Sequence, residues 1–214
     1  MKLIIIDFET TGLKDPIGVV EVAWVEVDHS LSIISEFDSL VKPGIPIAEG
    51  AEGVHGISDD MVAEEPSIED IKFPTGEVCL IGHNVINYDK ALADPHMNIV
   101  ACCDTLVLAR RLLPNCENHQ LSTLQAYCEL PKTLAHRAPG DVRTVLNLLE
   151  YLIEGSGMSL IQLINYSNTP QLLEYVSFGK HKGKKFSELP KSYLHWMRNA
   201  GDWDIDITHT INSL

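Results

Sequence analysis

The sequence predicts an α/β fold: a mixed β-sheet flanked by helices, followed by a small C-terminal hairpin-and-helix appendage. Three observations predict it. Three β-like runs follow one another early in the chain, apolar strands then alternate with helical segments, and residues 141–153 carry an apolar face at helical spacing.

Leu3–Ile6 is an apolar run ending on an acid, too short for a signal peptide's apolar region, and reads as a buried strand. Val19–Val27 alternates Val20, Val22 and Trp24 against Glu21, Ala23 and Val25, as a strand does. Ile33–Val41 is a third strand, joined to the second through Asp28-His29-Ser30, and Pro43, Gly44 and Pro46 then break the sheet. Ser58-Asp59-Asp60 starts a short helix that Pro66 follows. Val78–Ile81 and Ile99–Cys103 read as further strands. Thr105–Leu113, Leu121–Glu129, Asp141–Ile153 and Ser159–Tyr166 read as helices. Beyond them, Val176–Lys180 and Lys184–Phe186 suggest a hairpin around Lys182-Gly183, and Pro190–Met197 a short helix. The last stretch, with Asp202, Asp204 and Asp206, is expected to be loosely ordered. The expected division is a main domain at 1–155, a connecting helix within 156–174 and a basic unit at 175–214.

Apolar residues make up 45% of the 214, enough for a sizeable core, and no run approaches the roughly eighteen apolar residues of a membrane span. The five cysteines show no Cys-x-x-Cys spacing, so they read as reduced core thiols of a cytoplasmic protein. A zinc site through Cys102 or Cys103 is disfavoured. A net charge of −14 argues against a simple nucleic-acid binder. The charge is uneven, however: residues 178–198 hold six basic residues and one acid, whereas residues 1–177 hold 10 basic and 26 acidic ones. An acidic body with a basic patch suits an enzyme that binds divalent metal in one place and phosphate in another. A solvated lysine-rich turn is the plainer alternative.

Asp7-Phe8-Glu9 ends the first strand, and strand alternation puts both carboxylates on one side. Two such acids after an apolar run are costly unless neutralised, which a divalent cation does well. Thr10-Thr11-Gly12-Leu13 then offers hydroxyls, amides and a close backbone approach. Asp89 follows His83-Asn84 and by itself is an ordinary first-turn helix acid. His136 precedes Pro139, Gly140 and Asp141 at the start of the long helix. By itself it is a surface histidine, but one able to accept a proton near neutral pH.

Taken in order, Asp-x-Glu, then His83-Asn84 with Asp89, then His136 with Asp141 resemble the DEDDh (DnaQ-like) exonuclease superfamily, which includes proofreading exonuclease domains and ribonuclease T. Phe8–Leu13, Val54–Val62, Leu108–Pro114 and the tail Phe178–Lys184 carry the likeness further, over roughly residues 3–153 and 176–197. In most histidine-type members the second motif's Asp follows its His by five residues; here Asp89 follows His83 by six, as in some polymerase-linked members.

The resemblance implies a ribonuclease-H-like sheet and 3′→5′ hydrolysis of nucleic acid to nucleoside monophosphates, with two Mg2+ ions that Mn2+ can replace. It implies that Asp7, Glu9 and Asp141 hold one ion, that Asp7 and Asp89 hold the second, and that His136 is the general base. Thr10, Gly12, Leu13, His55 and Asn84 are implied to meet the terminal nucleotide. Lys180, Lys182 and Lys184 are expected to grip the phosphate backbone, with the tail's aromatics as its miniature core. DNA is expected ahead of RNA as substrate. A homodimer and repair or replication proteins are further candidate partners, and no membrane is expected. Two readings stay beside this one: an exonuclease for RNA or short oligonucleotides, and a nucleic-acid-binding module whose nuclease site is idle.

Overall fold

β-Branched and aromatic residues recur through the first forty positions, which form an antiparallel meander. The computed structural model describes residues 1–201 and 203–214. Strand β1 (Lys2–Thr10) pairs antiparallel with β2 (Val19–Val27), which pairs antiparallel with β3 (Ile33–Leu40). Strands β4 (Glu77–Gly82) and β5 (Asn98–Asp104) lie parallel on the other side of β1, giving the order β3-β2-β1-β4-β5. β1 runs four residues past the expected Ile6, because Asp7, Phe8 and Glu9 continue to pair with Ala23, Val22 and Glu21.

The chain divides into two units, Met1–Ile164 and Asn165–Leu214. In the first, Ile4, Ile6, Phe8, Val22, Trp24 and Leu80 point to one side of the sheet and join Phe73 and Val85 in a buried cluster. The opposite side is covered by the long helix described next, so β2 is buried on both faces and its alternation does not expose Glu21.

The helices are α1 (Glu49–His55), α2 (Asp59–Val62), α3 (Asp89–Ala93), α4 (Thr105–Leu112), α5 (Leu121–Tyr127), α6 (Ala138–Ser156), α7 (Leu160–Asn168), α8 (Lys191–Ala200) and α9 (Ile205–Asn212). α6 packs on β1 and β2 through the stripe Val142, Val145, Leu149 and Leu152, and α4 and α5 lean against it. It begins three residues before the expected Asp141. Pro139 fits in its first turn because the amide it lacks would have no helical partner there. Gly157, at φ 69°, ends it in the left-handed conformation with its N–H donating to Ile153 O. This architecture collects three segments at one end of the sheet: the end of β1, the loop after β4, and the entry to α6.

In the second unit, Val176, Phe186, Leu189, Leu194, Met197, Ile207 and Ile211 form a small buried core. The expected hairpin shrinks to one antiparallel bridge, Tyr175 to Lys185, which encloses one 3-10 turn, Gly179–His181, and is followed by another, Phe186–Glu188. Gly179 and Gly183 both adopt left-handed φ, 61° and 85°, and turn the chain before a ladder can extend. The loosely ordered tail is also corrected. Asp204 accepts the Ile207 N–H at 2.9 Å as a helix cap, and burial of Ile207 and Ile211 holds α9 in place. Asp202 lies outside the described residues. No helix among the described residues is long and apolar enough to cross a membrane.

Candidate active site

Asp7 and Glu9 alternate along β1 and emerge on the side that α6 covers, where Asp141 stands in that helix's first turn. One carboxylate oxygen from each of the three lies within 4.8 Å of the others. Asp89 opens α3, is buried, and lines the same cleft of about 650 Å³; its carboxylate accepts N–H bonds from Phe8 and from its own backbone.

Such crowding has an electrostatic signature. Burial first, and then the charges of Asp89, Asp141, Glu9 and Glu21, push the Asp7 carboxyl well above its ordinary range. Burial with Asp141 and Glu21 raises Glu9 to about 7, and burial raises Asp89 to about 7. Asp141 is raised by burial too, against the lowering effect of His136. Carboxylates resist ionising when like charges surround them in a half-dry site, and a small divalent cation removes both penalties. The donor set fits such an ion: hard oxygens only, three of them within reach of one centre. Among the described residues this is the only group of three or more His, Cys, Asp or Glu side chains close enough together to hold one ion, and all five cysteines are buried free thiols.

The entry to α6 is fixed by residues that sequence reading passed over. Glu21, 2% exposed, receives hydrogen bonds from the Arg137 guanidinium and, at 2.8 Å, from the Ala138 N–H. His136 is exposed, lines the cleft and holds a left-handed φ of 57°; its N–H donates to the Asp141 carboxylate at 3.0 Å. Gly140 is required here, since a Cβ on it would stand 1.9 Å from the Leu134 carbonyl oxygen. The available signal for Glu21 was a lone acid in the otherwise apolar stretch Val19–Val25.

The loop after β4 has a similar hidden support. Asp104, 2% exposed at the end of β5, accepts the N–H groups of Asn84 and Leu106 at 2.9 Å each. Asn84 takes a left-handed φ of 64°, and this turn accommodates the six-residue path from His83 to Asp89. His83 binds Thr105 Oγ1 through Nδ1 and the His119 carbonyl through Nε2, and burial pushes its pKa down to about 4. It is therefore a neutral bracing group.

Thr10, Gly12, Leu13 and Asn84 line the cleft, together with Asn87, Tyr88 and Gln120, which the sequence reading did not name. His55 is not among the lining residues. It is 6% exposed, with Nδ1 accepting the Ile57 N–H and Nε2 facing the Thr10 carbonyl at 3.2 Å. In this position it braces Thr10 from behind. Lys180, Lys182 and Lys184 belong to the second unit.

Comparison with known proteins agrees with this geometry. A family model described as an exonuclease matches residues 4–149, and a second, whose description names a quorum-sensing-regulated virulence factor, matches residues 168–204. The chain is 34% identical over 206 residues to exodeoxyribonuclease 10 of Escherichia coli K12, covering 92% of this chain and 91% of that one. It is 32% identical to DNA polymerase III PolC-type of Oceanobacillus iheyensis over 71% of this chain, though only 11% of that much longer protein. Among solved structures, exonuclease X in complex with 5′ overhanging duplex DNA superposes with a TM-score of 0.65 at 32% identity, covering 76% of this chain and 98% of that one. Exonuclease I, at 16% identity and a TM-score of 0.62, shares the fold. By the family match over residues 4–149 and by these relatives, the chain belongs to the exonuclease family, in its metal-dependent DEDDh (DnaQ-like) branch.

Proposed function

We propose that this exonuclease removes nucleotides one at a time from the 3′ end of DNA, single-stranded or duplex, and releases nucleoside 5′-monophosphates. The observation that carries the reading is the convergence of Asp7, Glu9 and Asp141 in a cleft also lined by Asp89 and His136. Relatives named as an exodeoxyribonuclease and as an exonuclease bound to duplex DNA support DNA ahead of RNA.

Asp7, Glu9 and Asp141 would hold one Mg2+, and Asp7 with Asp89 a second. When bound, two such ions neutralise the carboxylates and stabilise the attacking and leaving oxygens of an in-line displacement. The chain's own groups do the rest. His136, at the exposed edge of the cleft, accepts the proton of the attacking water. The water oxygen bonds to phosphorus, the bond to the 3′ oxygen of the penultimate nucleotide breaks, and that oxygen takes a proton from solvent and leaves as a hydroxyl. Thr10, Gly12, Leu13 and Asn84 orient the terminal nucleotide. The His136 N–H bond to Asp141 ties the base to the carboxylate group, so both are positioned together.

The test is a timed digestion of single-stranded DNA, duplex DNA and RNA, each with one end blocked in turn. We expect a ladder shortening from the 3′ end with Mg2+ and none with chelator. Digestion of a 3′-blocked strand would overturn the polarity, and faster cleavage of RNA would overturn the substrate.

A further inference from the structure

The second unit carries a surface cleft of about 660 Å³ that shares no residue with the carboxylate cleft and is lined by Lys180, His181, Pro190, Ser192, Tyr193 and Trp196. Its size falls in the range of small-molecule and nucleotide pockets. All six residues lie within one unit, and Tyr193 packs against its buried core.

Tyr193 and Trp196 stand one turn apart on α8, with centroids 5.1 Å apart and planes inclined by 32°. Trp196 is 50% exposed, which contradicts its expected place in the miniature core. His181 meets Tyr193 edge-on at 4.4 Å, and the Lys180 ammonium lies 5.0 Å from the Tyr193 ring centroid. The half-exposed indole and the cation-capped phenol together present aromatic surface to solvent.

The surrounding charge selects the occupant. Residues 178–198 carry six basic side chains and one acid in a chain of net charge −14. Lys185 is paired with Glu174 at 2.8 Å, and Arg198 donates to the Ile211 carbonyl. Lys180, Lys182, Lys184 and Lys191 have no carboxylate partner among the described residues. Aromatic faces interleaved with unpaired lysines match a polyanion that also offers flat apolar faces, which is the chemistry of a single nucleic-acid strand. An acidic peptide would match the lysines and leave the rings unused. A duplex hides its base faces.

We propose that this cleft is a second nucleic-acid site, in which a base of a single strand stacks on Trp196 and Tyr193 while the flanking phosphates lie on Lys180 and Lys182. The unit would then hold single-stranded DNA independently of hydrolysis. The proposal rests on the DNA-directed reading of the enzyme only for the identity of the strand.

The test uses the full chain in chelator, so that nothing is cleaved, and measures anisotropy of a labelled twelve-residue oligothymidylate. Trp196→Ala should weaken binding about tenfold, Trp196→Phe should recover part of the loss, and Lys180→Ala with Lys182→Ala should flatten the salt dependence. Trp196 is half exposed, so these variants should melt as the parent does. Equal binding by parent and Trp196→Ala, including none by either, overturns the proposal. So does equally tight binding of a same-length duplex, or of oligoglutamate, which would mark an acidic-peptide surface. Magnesium-dependent digestion of the same oligothymidylate is read separately. Its absence in the parent would sink the nuclease reading and leave the binding result standing.

Discussion

The guanidinium of Arg137 lies against the carboxylate of Glu21, with Nε 3.0 Å from each oxygen and Nη2 donating as well. The two residues are 116 positions apart, and their contact ties the residue after His136 to strand β2. Glu21 also sits opposite Glu9 in the β1–β2 ladder, so one buried acid touches both the carboxylate cluster and the loop that carries the base.

Glu21→Ala should therefore cost both stability and turnover. It strands a partly buried guanidinium and the Ala138 N–H, and breaking a buried ion pair from one side costs about 3 kcal/mol. A urea melt should show a loss of that order, and single-turnover cleavage should slow because the His136 loop is no longer anchored. A variant with parental stability and rate would show the pair to be incidental.

The contrast between Glu21 and Asp7 shows what the sequence made legible. Asp7, Glu9, Asp89, His136 and Asp141 stand at element ends with recognisable spacings, and the sheet's two halves follow from alternation and from apolar runs. Glu21 does neither, and Asp104, although it ends β5, belongs to no such spacing. Each acts through burial and through partners distant in sequence, which local pattern cannot express. Val20-Glu21-Val22 reads as a one-sided strand until α6 is known to cover the other face. In the tail, the turns at Gly179 and Gly183 override the β propensity of Tyr175-Val176, and Asp204 starts a helix whose apolar residues make sense only against the small core.

The raised carboxyls give the metal-free protein a defined pH response. Glu9 and Asp89 titrate near 7 in the fold, against about 4 when unfolded. Between those values the native state holds more protons than the unfolded one, so this contribution is present at low pH and lost as pH rises through 7. With chelator, Asp7→Asn should raise the melting temperature at pH 8 by roughly 2–4 °C, since it relieves about 1 kcal/mol of repulsion. The same variant should lose the stabilisation that Mg2+ gives the parent, and that gain should be larger at pH 8 than at pH 5.5. A Mg2+ gain independent of pH would place the ion elsewhere.

His136→Ala removes the exposed imidazole while leaving the carboxylate geometry intact, because the bond to Asp141 comes from the backbone N–H. Loss of a general base costs about 10²–10⁴ in rate. Single-turnover cleavage of a 3′-labelled strand should fall by that factor, with strand affinity in chelator unchanged. A full rate in the variant would remove His136 from the proton transfer.

Gly140→Ala tests whether the His136 loop must close on α6. The added methyl carbon would meet the Leu134 carbonyl oxygen at 1.9 Å and its carbonyl carbon at 2.8 Å, both backbone atoms. A small rotamer change cannot relieve that overlap, so the segment from Leu134 to His136 has to move outward. Asp141 sits one residue further along the helix and would keep its place against Asp7 and Glu9, since the apolar stripe behind it is unchanged. The substitution therefore separates the two halves of the site. Mg2+ binding, followed by calorimetry, should stay within a few-fold of the parent, while kcat should fall about as far as in His136→Ala. Alanine favours a helix interior by nearly 1 kcal/mol over glycine, which partly offsets the strain and keeps the variant folded. If kcat were preserved, the loop would have to reach its working position without the close approach at Gly140, and His136 would then not depend on the entry to α6 for its placement.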